Sequence, residues 1–84
     1  MSPTTVDDLR EWFERGKKER ATHMIVVCDT FDHEDYPVYV KKTEDVREVT
    51  KKYALGENMQ RIMEVYSYKK TFEEQSGRRV FNYD

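Results

Sequence analysis

The sequence predicts an α+β domain with elements in the order α-β-β-α-β, and three observations carry that expectation. Val6, Leu9, Trp12, Phe13 and Gly16 recur at helical spacing. Thr22 to Phe31 (THMIVVCDTF) is apolar on both faces, and after a short polar stretch Tyr36 to Lys42 (YPVYVKK) resumes the strand pattern. A second amphipathic stretch, with Val46, Val49 and Tyr53 on one side, then precedes a third strand-like run. A period near 3.6 marks the helices and a period of 2 the strands.

The first helix is expected over roughly residues 5–20. Ser2-Pro3 and Thr5-x-x-Asp8 are start signals, the second of them a capping box. Asp7, Arg10, Glu11, Glu14 and Arg15 fill the polar side. The β-branched run from Thr22 suits a central strand. Pro37 cannot donate to a ladder, so it belongs at a strand start or on a sheet edge. Asp32-His33-Glu34-Asp35 is the connection between the two strands, of ordinary hairpin length. Thr43 is the expected N-cap of the second helix, with Glu44 and Asp45 in its first turn and Leu55-Gly56 at its end. Residues 58–63 fit a helix or a strand. A strand over about 61–69 is preferred, because a helix there would leave only two strands. Thr71 to Gly77 reads as a short turn of helix, and Arg78 to Tyr83 as an edge strand or a docked tail.

Strands 1 and 2 form a hairpin, and the second helix is a crossover that sets strand 3 parallel to strand 2. Placing strand 3 on the free side of strand 1 gives a three-stranded, mainly antiparallel sheet in the order 2-1-3. Both helices are expected on one face, as a two-layer sandwich. With 84 residues, residues 1–84 are read as a single domain.

Composition narrows the function classes. Hydrophobic residues are 37% and charged residues 38%, polar for a globular chain, yet six tyrosines, four phenylalanines and a tryptophan argue against disorder. So small a domain buries only roughly 60–65% of its unfolded surface, and self-association would add burial. The formal net charge of −2 gives no global attraction to nucleic acid or membranes. Cys28 is the single cysteine, so no internal disulfide forms, which fits a reducing compartment. MSPTTVDDLREW is acidic and lacks the apolar core of a signal peptide, and Met24 to Cys28 is far shorter than a membrane span. A cytoplasmic protein is expected.

The densest chemistry lies in CDTFDHEDYPVY, residues 28–39. Aspartate, histidine and glutamate are competent metal ligands. However, Pro37 stands where a zinc-protease motif beginning at His33-Glu34 needs its second histidine, and the loop has no glycine for a calcium-loop turn. Such residues also simply make turns. Cys28 has His23 and His33 as candidate bases, but a thiol in an apolar strand behaves as a small hydrophobe. Gly16, Gly56 and Gly77 are isolated, so no phosphate loop exists. No catalytic residue, metal or cofactor is expected, and the chain is read as a non-enzyme.

Charge layout supplies a further expectation. Asp29, Asp32, Glu34 and Asp35 mark the hairpin end of the sheet, joined by Glu57, Asp7 and Asp8. Arg15, Lys17, Lys18, Arg20, Lys41, Lys42, Lys69 and Lys70 belong to the opposite end, with Lys51, Lys52, Glu44 and Asp45 as exceptions. If the helices cover the valine face, Tyr39, Tyr66 and Tyr68 lie on the open face, where aromatics flanked by lysines can stack bases. Tyrosines are equally at home under a tail or at a protein interface.

The block Thr22 to Val40, with NMQRIMEVY at 58–66, resembles small proteins carried by bacteriophages and bacterial mobile elements. That resemblance implies no enzymatic residues. It implies action by binding: a phage-type modulator or inhibitor of a bacterial host protein, such as a defence protein. The expected partner has a basic surface, met by Asp29, Asp32, His33, Glu34, Asp35 and Tyr36 on the hairpin. The alternatives are a nucleic-acid-binding module using Lys41, Lys42, Tyr66, Tyr68, Lys69 and Lys70, and a self-associating structural protein.

Overall fold

The computed structural model describes residues 4–54, 60–76 and 80–84. Its elements are α1 (Val6–Lys18), β1 (His23–Asp29), β2 (Glu34–Val40), α2 (Val46–Ala54), β3 (Gln60–Ser67) and a short α3 (Phe72–Gln75). The expected Ser2-Pro3 start, the Leu55-Gly56 end and Glu57 lie outside the described residues. No helix among those described is long and apolar enough to cross a membrane.

The sheet order is β2-β1-β3, with β1 antiparallel to both neighbours and therefore β2 parallel to β3. This is the expected α+β topology. Residues 60–63 are strand, as preferred, while residues 58 and 59 lie outside the described residues.

The placement of the helices corrects the two-layer expectation. Met24 and Val26 face a cluster with Phe13 of α1, Tyr66 and Phe72. Ile25 and Val27 face the other way, into a cluster with Val40, Val65 and Val46 of α2. The helices therefore sandwich the sheet from opposite sides. The reason is present in β1 itself. Met24, Ile25, Val26 and Val27 are each no more than 2% exposed, and four consecutive apolar residues can be buried only if both faces are covered.

Local signals explain the boundaries. Thr5 and Asp8 form the expected capping box, with reciprocal backbone-to-side-chain bonds of 3.0 and 3.1 Å. Past Lys18, the Arg20 N–H donates to the Lys17 carbonyl and the Ala21 N–H to the Gly16 carbonyl. That is a Schellman closure, with Arg20 left-handed at φ 60° and Ala21 buried. The N-cap of α2 is Asp45, not Thr43: its carboxylate accepts the Arg47 N–H at 2.9 Å and its carbonyl accepts the Val49 N–H. Glu44 instead turns back to accept the Lys41 N–H at 2.9 Å.

Pro37 lies mid-strand opposite Val26, tolerated because β2 is an edge. On the far side, Phe81 bridges Val65 in parallel, and Val65 exchanges backbone bonds with Val80 and Asn82. Residues 80–84 are thus a docked tail with one strand-like contact. Val80 enters the α1-side core and Tyr83 packs on the α2-side core. His23 is buried beneath that tail, with Nε2 2.8 Å from the Asp84 main-chain oxygen.

Candidate protein-binding hairpin

Asp29 and Glu34 close the β1–β2 ladder, so the loop is Thr30, Phe31, Asp32 and His33, two residues earlier than the expected Asp32–Asp35, and Glu34 and Asp35 belong to β2. Asp29 builds that loop. Its Oδ1 accepts the Phe31 N–H at 2.9 Å and the Asp32 N–H at 3.4 Å, while its carbonyl accepts the His33 N–H at 2.7 Å. His33 takes the left-handed conformation that closes the turn, φ 58°. With the backbone amides drawn inward, Phe31 is thrown outward and is 74% exposed.

Around that ring stand Asp32, His33 and Glu34, all exposed, with Asp35 and Tyr36 half-buried behind them. None of the four carboxylates at 29, 32, 34 and 35 is in an ion pair among the described residues. Asp29 belongs to the turn more than to the surface. Asp35 sits opposite Cys28, and burial first, then the Asp35 carboxylate accepting its S–H and adding negative charge, push the Cys28 thiol up. A protonated thiol at neutral pH is a poor nucleophile. Tyr36 receives a hydrogen bond from the Gln60 amide, and burial raises its phenol too. Among the described residues, no three His, Cys, Asp or Glu side chains converge as metal ligands.

Phe31 was absent from the residues the sequence singled out. As the last apolar residue of a strand-like run it reads as part of the strand. Only the ladder's end at Asp29 puts it on the tip.

The alternative surface fares differently. Lys41, Lys42, Lys69 and Lys70 are exposed and gather at the end opposite the hairpin, where His23 pairs with both Val40 and Ser67. The tyrosines do not join them on an open face. Tyr66 is 1% exposed, and its hydroxyl donates to Glu64 at 2.8 Å. Tyr39 and Tyr68 donate to the Trp12 and Phe13 carbonyls of α1 at 2.7 and 2.9 Å. Phe13 stacks on Tyr68 with ring centres 4.2 Å apart. α1 has taken the tyrosine face, and Gly16 permits it: a Cβ there would overlap the Tyr68 hydroxyl and lie 2.5 Å from the Tyr39 ring. No aromatic platform remains there for bases to stack on.

The two ends of the sheet are also less polarised than expected. Lys41 Nζ pairs with Glu19 at 3.1 Å, and Glu73 with Arg10 at 3.8 Å, away from the hairpin. Arg61 stands beside Cys28 at the acidic end. No protein-family model, curated protein or solved structure matches this chain.

Proposed function

We propose that this is a non-enzymatic protein-binding domain whose β1–β2 hairpin docks into a basic partner surface through Phe31, Asp32, Glu34 and Asp35. The observation that supports this reading most is the 74% exposure of Phe31 at the centre of carboxylates that form no ion pair among the described residues. A large aromatic held in water by a hydrogen-bonded turn is unused binding energy: burying it in a partner is worth about 1.5–3 kcal/mol. The charges around it steer encounter and select for Arg- and Lys-rimmed sockets. Asp29 and Tyr36 hold the hairpin in shape. The reading extends to a phage-type inhibitor that occupies a host surface otherwise used for nucleic acid, on the strength of the resemblance in residues 22–40.

The test is capture from bacterial lysate by the immobilised chain, with Phe31→Ala and the charge reversal of Asp32, Glu34 and Asp35 as comparators. Loss of the same captured protein from both variants is expected. Retention of every captured protein by both variants would overturn the hairpin reading.

A further inference from the structure

We propose that the free edge of β2 pairs antiparallel with β2 of a second copy about a twofold axis at Val38, giving a continuous six-stranded sheet. Among the described residues, the sheet order leaves β2 with a partner on one side only. The Val40 carbonyl points to β1, where it accepts the Thr22 N–H at 2.8 Å. By alternation, Asp35, Pro37 and Tyr39 direct their backbone groups to the open edge.

An open edge is normally blunted by proline and charge. Here the charges are ordered rather than scattered. Glu34 and Asp35 begin the strand, and Lys41 and Lys42 follow its end, all of them exposed except the half-buried Asp35. Antiparallel pairing centred on Val38 sets Tyr36 opposite Val40 of the second copy and brings the Glu34–Asp35 start of one strand towards Lys41 and Lys42, which follow the end of the other. Each acidic strand start then lies near the basic exit of the other copy, and opposite charges brought together across a strand pair are favourable where like charges are not. Lys41 exchanges its half-exposed contact with Glu19 for one across the interface. Pro37 faces Tyr39 of the second copy, so its missing N–H removes one bond on each side of the axis. Glu44 already holds both the N–H and the carbonyl of Lys41, so the rungs that remain are the two in which the Tyr39 N–H donates to the Pro37 carbonyl of the other copy.

Space is available on the α2 side. Beside this edge lies an open groove of about 530 Å³ lined by Val38, Val49, Tyr53, Glu48 and Lys52. Val38 is half-buried against the α2-side core, and at the axis it meets Val38 of the second copy.

Parallel pairing or another partner would not show the same charge logic, which makes a mixing experiment decisive. Sedimentation equilibrium is run on the whole chain, on E34K/D35K, on K41E/K42E and on an equimolar mixture of the two variants, with circular dichroism confirming that each is folded. The wild type is expected to dimerise, each variant to dimerise roughly tenfold or more weakly, and the mixture to recover dimers, because every pair is again opposite in sign. A wild type that stays monomeric at millimolar concentration overturns the proposal. So does a mixture no more associated than its components. For the register, V38C is expected to form an intermolecular disulfide on mild oxidation, since facing residues of a non-hydrogen-bonded pair lie about 4.5 Å apart at Cα. Dimers without that cross-link would overturn the Val38 axis.

Discussion

The α1 side of the sheet and the tip of the β1–β2 hairpin are both rich in aromatic and polar groups, and they dispose of them in opposite ways. On the α1 side, Tyr39, Tyr66 and Tyr68 each find an acceptor inside the molecule, and Phe13, Tyr66 and Phe72 pack ring against ring. At the tip, Phe31 packs on nothing sufficient to cover it, and Asp32 and Glu34 face water. The contrast teaches that residue type alone does not mark a site. Tyrosines that looked like a ligand platform are structural, whereas a phenylalanine that looked structural is on display.

The sharpest way to break this comparison is to hollow out the α1 side. Phe13→Ala removes the ring that Tyr66, Tyr68 and Phe72 share. Destabilisation of about 3–5 kcal/mol is expected, enough to unfold much of the population of so small a domain. Chemical denaturation monitored by circular dichroism measures it. A loss under about 1 kcal/mol would mean that α1 is not seated as described.

Alkaline titration probes the same face without mutation. Burial is the main cause that pushes the Tyr66 and Tyr68 phenols above their ordinary value of 10.0, aided at Tyr66 by the Glu64 carboxylate that accepts its hydrogen bond. A pKa raised on folding contributes stability that is complete below the unfolded value and lost as pH rises through the folded one. Stability should therefore hold to about pH 10 and fall above it. Phenolate absorbance of these two tyrosines should appear together with the loss of helical signal. Full phenolate formation near pH 10 in an intact fold would contradict the burial.

How much of this was legible in the chain varies by element. The four apolar residues from Met24 to Val27 announced a central strand, and Thr5 with Asp8 announced the first cap. The face taken by α1 was not legible, because a Schellman turn at residues 19–21 connects to a strand without fixing a side. β3 hid its own facing. A register shift opposite Val26/Val27 lets Ile62 and Val65 both join the α2-side core although they are three residues apart. Strict alternation cannot represent that. For α2, Thr43 and Asp45 are both good caps, and only the need to bury Val46 selects the second. The acidic hairpin was visible, but the residue types place its loop two residues late, at 32–35 instead of 30–33, and Phe31 was hidden with it, since its exposure depends on where Asp29 stops the ladder.

A smaller effect of opposite sign sits at the turn after α1. Arg20 is left-handed without being glycine, a conformation that costs a side-chain-bearing residue roughly 1–2 kcal/mol. Arg20→Gly removes that cost and loses part of the gain to chain entropy, so a net stabilisation of about 0.5–1 kcal/mol is expected. His33→Gly should behave alike at the hairpin, φ 58°. A melting temperature lowered by either change would show that the arginine or histidine side chain contributes more than its backbone costs.

The smallest expected effect on stability belongs to the tip, and it discriminates between the two regions most cleanly. Phe31→Ala removes a ring that touches little, so unfolding free energy should change by no more than about 0.5 kcal/mol, in contrast to Phe13→Ala. Asp32→Lys should be equally mild, since Asp32 contributes only its backbone N–H to the turn. If the tip is a docking element, these two stability-neutral changes are the ones that abolish capture of the partner, and Asp32→Lys also flattens its salt dependence. A large loss of stability from Phe31→Ala, measured by the same denaturation curve, would place the ring in the core and remove the reason for assigning it to a partner.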